Sequence, residues 1–192
     1  MTTKRKTVTI MIGALILFIW NALSWMVLPF HSNTLKSIPE NAFDTAMLQE
    51  NLIEDGVYHY PGIPNDNSDE SFKEMEHKLK AGPRITLMVY KKGETEFFNP
   101  KTLILNLVFN LLTVVVLLSI VSQFKNKAIN NVIWKTILIG LLIGLVSDLP
   151  QMNWYMFPVK YTFVNIMDHL VSFLLLGLLF GLFTFKNFAE NE

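Results

Sequence analysis

The sequence predicts an all-α membrane protein: a bundle of four transmembrane helices with a small extracytoplasmic α+β cap between the first and second. Two observations lead there. About half of the 192 residues are apolar (51%) and only 17% are charged. The apolar residues also gather in four runs, Val8–Leu28, Leu103–Val121, Val132–Leu149 and Tyr161–Phe185, each long enough to cross a hydrocarbon core of about 30 Å. The chain divides on this reading into residues 1–30 (N-terminus and first span), 31–101 (cap) and 102–192 (the remaining spans and the C-terminus).

The first run follows Lys4, Arg5 and Lys6. Its basic start and Ala22-Leu23-Ser24 imitate a secretory signal with a small-residue cleavage site. Bulky Trp20 and Trp25 flank that tripeptide and the apolar run continues to Phe30, which favours a retained anchor. Lys125, Lys127, Lys135 and Lys186 flank the later spans on one side, whereas the connection from Asp148 to Tyr161 carries only Lys160. Short basic flanks stay cytoplasmic. Both termini are therefore expected inside, in a multi-pass protein of the plasma (inner) membrane, with the cap outside.

Residues 31–101 hold twelve acidic and eight basic side chains, a net of −4. Ser37 and Pro39 resemble a helix start, with Phe43, Met47 and Leu48 on one face and Gly56 as its end. Val57–Tyr60 reads as a strand and Asp69–Leu79 as a second helix stopped by Gly82-Pro83. Ile85–Tyr90 reads as a strand, Lys91–Gly93 as a turn and Thr95–Phe98 as a returning strand. So few residues make a small core, and the cap is expected to lean on the span ends or on a partner.

Polar residues recur inside the spans. Measured from the basic flanks at 1.5 Å per residue, Asn21, Asn110, Asp148 and Ser172 fall at one level, and Ser24, Asn106, Asp168 and His169 at a second level farther out. Asn165, Asp168, His169 and Ser172 follow i, i+3, i+4, i+7 spacing, and Asn21, Ser24 and Trp25 share a stripe in the same way. Ionisable groups facing lipid near mid-membrane cost about 2.5–3.5 kcal/mol, so these stripes are expected to face the bundle axis around an outward-opening polar pocket. Asp168 and His169 diverge by about 100° and need partners from other helices. Asp148 could instead cap its helix just before Pro150. The aromatic turn from Leu149 to Pro158, with Trp154 and Tyr155, reads as an interfacial belt or as a lid over the polar layers, with Trp25, Phe30 and His31 forming the other wall of that rim.

Gly140 and Gly144, and Gly177 and Gly181, form small-xxx-small pairs that let helices approach closely. Equal distances from Lys135 and Lys186 predict Gly140 opposite Gly181 and Gly144 opposite Gly177.

The absence of cysteine excludes disulfides, thiol catalysis and thiolate metal sites. His31, Asp148, Asp168 and His169, with His59 or His77, lack the ligand spacing of known metal motifs, and no nucleotide-binding or GxSxG motif occurs. A haem between His31 and His169, or acid–base work by Asp148 and Asp168, finds no further support. No cofactor, catalytic residue or nucleic-acid partner is expected. The chain reads as a non-enzymatic cell-envelope protein that contacts a protein or lipid partner through its cap. The alternative is a binding or transport site for protons, ions or a small solute in the polar pocket. A pathway through the membrane would require a homo-oligomer, because the inner levels are apolar.

Overall fold

A computed structural model describes residues 2–42, 44–96 and 99–185. Four helices are long and apolar enough to cross a membrane: Thr3–Val27, Pro100–Ser122, Ile129–Tyr155 and Val159–Thr184. The chain divides into two compact units, one of them Ser37–Glu96 and the other containing all four spans.

In the span-bearing unit, α1 (Thr3–Ala22) starts at Thr2, whose hydroxyl accepts from the Arg5 amide at 3.4 Å. It runs into a π-helical turn, Leu23–Val27, and then a short α2 (Pro29–Ser32). The second span starts at Asn99, whose side chain accepts from the Lys101 amide at 2.9 Å, with Pro100 in the first turn where its missing N–H costs nothing. The third span comprises Ile129–Ile143, a π-helical turn Gly144–Asp148, and Leu149–Tyr155. The fourth, Val159–Leu179, ends in a third π-helical turn, Phe180–Thr184.

Two of these wide turns precede a proline. The Leu28 amide bonds the Leu23 carbonyl at 2.7 Å, one residue before Pro29, and the Leu149 amide bonds the Gly144 carbonyl, one residue before Pro150. A proline ring inside a helix collides with the carbonyl four residues back. Opening the preceding turn by one residue relieves that collision. For this reason the third span does not stop at Leu149 as the sequence suggests. It stays helical to Tyr155 and ends at Met156, a residue in the left-handed conformation (φ 59°).

The first span packs against the second and the fourth, and the fourth packs extensively against the third. Leu17, Val114, Leu117, Val121, Val132, Phe173, Leu176 and Phe180 form the apolar core. Toward the chain termini a buried Thr9–Thr184 hydroxyl pair, 3.1 Å apart, joins the first span to the fourth. Arg5 bonds the Phe183 carbonyl nearby. Together with the Ser24–Asp168 bond at the other end of the first span, this fixes an antiparallel pairing.

The four glycines of the third and fourth spans lie against the opposing helix, but they do not face one another. Gly140 meets Phe173 and the His169 carbonyl, Gly144 meets Ile166, Gly177 meets Thr136 and Ile133, and Gly181 meets Ile129. The predicted Gly140–Gly181 and Gly144–Gly177 pairing is therefore corrected. Lys135 does not mark the helix start, since the third span begins at Ile129, about 9 Å earlier. The Lys135 ammonium instead sits 4.6 Å from the Phe124 ring centre. A Cβ at Gly177 would stand 3.1 Å from the Ile133 Cα and collide with the Thr136 hydroxyl, so only glycine allows this backbone approach.

Ser37–Glu96, described by itself, contains a 3-10 turn at Glu40–Ala42, α3 (Thr45–Asn51), β1 (Gly56–Tyr60), α4 (Asp69–Ala81) and β2 (Ile85–Tyr90). The first helix of this unit starts later than Ser37, because the Asp44 carboxylate accepts from the Met47 amide at 3.0 Å and supplies the true N-cap. Phe43, Phe97 and Phe98 lie outside the described residues. No strand forms at Thr95–Glu96, and β2 pairs instead with β1, antiparallel, Val57 opposite Val89. Asp55 clasps the two strands together, bonding the Lys91 ammonium and, at 2.8 Å, the Lys92 amide. The Lys91 hydrogen bond, followed by that of the Lys92 amide, holds the Asp55 carboxyl below its usual range.

Candidate functional site

The polar end of the span-bearing unit is built on two neighbouring residues of the fourth helix. Asp168 receives the Ser24 hydroxyl at 2.7 Å on Oδ1, and its Oδ2 lies 3.9 Å from His31 Nε2. On the adjoining face His169 Nε2 lies 3.1 Å from Asp148 Oδ2, at an angle that makes no hydrogen bond. The third span's wide turn carries Asp148 and the first span's wide turn carries Ser24, so both π-helical turns deliver a polar side chain to the fourth helix. Such one-residue expansions are often found at functional positions.

Ser24 and His31 are each 1% exposed. The imidazole stacks on Trp25 with centroids 3.7 Å apart and an interplanar angle of 11°. Neither ring nitrogen has a hydrogen-bond partner among the described residues. Burial lowers the imidazole below its ordinary pKa and nearby Asp168 opposes that shift. The segment bearing His31 is fastened to the fourth helix a second time by Lys160, whose ammonium donates to the Asn33 carbonyl at 3.3 Å.

A separate group lies between the first and second spans. Asn21 Nδ2 donates to Asn106 Oδ1 at 3.4 Å and to Asn110 Oδ1 at 3.3 Å, and Asn110 Nδ2 donates to Asn106 Oδ1 at 3.1 Å. Interhelical amide bonds of this kind contribute about 0.6–2 kcal/mol each. Among the described residues no hydrogen bond joins this group to Asp168 or His169. The side chains of Asn165 and Ser172, on the same stripe of the fourth helix, form no hydrogen bond among the described residues. Asp148 makes no side-chain capping bond and has helical backbone angles, which removes the capping alternative. Trp154 and Tyr155 are exposed on the helical extension of the third span.

Beside Ser24 and Asp168 is a groove of about 290 Å³ between the first and fourth spans, lined also by Trp20, Phe30, Phe163 and Met167. Phe30 is expected from the sequence as part of the rim with Trp25 and His31, whereas Trp20 is not assigned to the site there, although it lies four residues before Ser24 and so on the same helical stripe. No group of three or more His, Cys, Asp or Glu suited to a metal ion occurs among the described residues.

Comparisons with protein-family models, curated proteins and solved structures return no match. The fold and the site define a class, a four-helix bundle compatible with a multi-pass membrane protein, whose polar cluster has to be interpreted from its own chemistry.

Proposed function

We propose that this protein is a multi-pass plasma-membrane protein, with both termini cytoplasmic and Ser37–Glu96 outside, whose polar cluster binds a proton, an ion or a small solute. The observation that carries this reading is the pair of carboxylate–imidazole couples on Asp168 and His169. Among the described residues no Lys or Arg forms an ion pair with Asp148 or Asp168, so the charge of the cluster depends on the imidazoles. Carboxylates are costly in a span, and their retention beside His31 and His169 favours proton exchange over adhesion between helices.

Proton uptake by the purified full chain, measured after a step from mildly alkaline to mildly acid pH, tests this reading. Asp168→Asn should reduce the uptake, and Lys125→Gln, at an exposed position away from the cluster, should leave it unchanged. Equal uptake in wild type and Asp168→Asn would overturn the proposal.

A second reading, contact with an envelope protein through the cap, is favoured by one observation. No described apolar residue of Ser37–Glu96 is among the buried core, and Val57, Ile85, Leu87 and Val89 are exposed on the strand pair, Val89 at 82%. A lone two-stranded sheet is marginal in water and gains stability when such a face is covered. Val57→Lys with Val89→Lys should abolish co-purification of a cap-bound protein while leaving proton uptake intact.

A further inference from the structure

The groove beside Asp168 differs from an ordinary helix crevice in what lines it. Its walls are aromatic and aliphatic, with Trp20, Phe30 and Phe163 as ring systems, and Ser24 and Asp168 are the polar lining residues. Phe163, Met167 and Phe30 are exposed at its mouth. Trp20, Ser24, Phe163, Met167 and Asp168 all belong to the two membrane-length helices. On the reading of these helices as spans, the mouth faces acyl chains. A solute reaching it must therefore be apolar over most of its length.

What the groove requires of the other end of that solute follows from Asp168. Its Oδ1 accepts one hydrogen bond, from Ser24, while Oδ2 has only a non-bonded imidazole at 3.9 Å. A carboxylate in low dielectric takes up a cation or further N–H donors. Aromatic faces attract the same partner, because the ring quadrupole is negative over its face. A carboxylate with a free acceptor position, in a groove lined also by Trp20, Phe30 and Phe163, suits an ammonium group. The volume lies at the lower end of the range for ligand pockets, about 300–1,000 Å³, which suits one ammonium head and part of one chain.

The geometry points to a binding site for a lipophilic ammonium, an alkyl chain ending in a protonated amine that donates to Asp168 Oδ2 and lies against Trp20. This inference rests on the polar cluster being a solute site, and it names the class of solute and its side of entry.

The test uses the full chain in lipid nanodiscs, photolabelled with a diazirine-bearing alkylamine, with decylamine and decanol as competitors of equal chain length. An alkylamine is protonated at neutral pH, as a lysine is. Label is expected on Phe163, Val164 or Met167, and decylamine should compete at about tenfold lower concentration than decanol, given the strength of charged hydrogen bonds and cation–π contacts. Asp168→Asn should equalise the two competitors. Val164→Trp, which fills the groove and leaves Asp168 in place, should remove the label, and this arm stands if Asp168→Asn fails to fold. Equal competition by decanol in wild type, an amine preference that survives in Asp168→Asn, or label confined to other helices would overturn the inference. Proton uptake that depends on Asp168 without any amine preference would overturn it while leaving the proton site standing. Amine preference without such uptake would support it and remove only the proton role.

Discussion

His31 approaches Asp168 to 3.9 Å, closer than any other basic side chain among the described residues, yet forms no hydrogen bond with it. The imidazole reaches this position because the wide turn at Leu23–Val27 and the Pro29 start of α2 fold the chain back over the fourth helix. Its stack on Trp25 and the Lys160–Asn33 bond hold it there. The arrangement keeps a titratable ring out of water beside a carboxylate, and its consequences can be measured.

The first consequence concerns pH. Burial depresses the His31 pKa below 6.5 against the opposing pull of Asp168. The unfolded chain then binds the His31 proton more readily than the folded one, so this contribution to stability is full above about 6.5 and is lost as pH falls toward the folded value. Asp168 on the fourth helix is the ionisable group facing the ring, with Lys160 turned to the Asn33 carbonyl and His169 paired with Asp148. Detergent melting curves of wild type and His31→Phe should converge in slope above neutrality, with wild type losing more stability on acidification. A steeper acid loss in His31→Phe would contradict this.

Close packing of the third and fourth helices should be intolerant at Gly177. Leucine there has to displace Thr136 and the Ile133 backbone, and overpacking of this kind costs about 1–3 kcal/mol. Leu142→Ile, at an exposed position of the third helix, should change the melting temperature little. Equal tolerance at the two positions would show that the helices do not meet at Gly177.

The amide group and the ionisable group should separate on mutation. Asn110→Leu leaves the Asn21 and Asn106 amides with fewer partners and should lower stability by about 1–2 kcal/mol. Its proton uptake should remain that of wild type. Ser24→Ala removes the donor to Asp168 Oδ1 and should alter the uptake profile more than the melting temperature. The reverse ranking would assign both groups to helix adhesion.

Topology is checked by single cysteines in this cysteine-free chain. One at Asn67 should react with an impermeant thiol reagent in intact cells, and one at Asn187 only after lysis. The opposite pattern would invert the orientation drawn from the basic flanks.

By itself the sequence determined that four segments are long and apolar enough to span a membrane, which polar residues interrupt them, and that small residues line the third and fourth helices. These are properties of composition and period, and they survive any change of partner. It also located both strands and the second helix of Ser37–Glu96, where Ser68 and Gly82 mark the helix ends. Only the tertiary structure decided which polar groups meet. Asn21 and Ser24 share a stripe at helical spacing, yet Asn21 turns to the second span and Ser24 to the fourth, because residues three apart already diverge by about 60° on a helix and the turn begins to widen at Leu23 between them. The glycine register failed for a related reason. Depth was counted from lysines, and a lysine inside a helix, as Lys135 is, lies wherever its long stem finds a resting place rather than at the helix start. Partner choice and register depend on where helices begin and where they widen, and the 3.6-residue period carries neither piece of information.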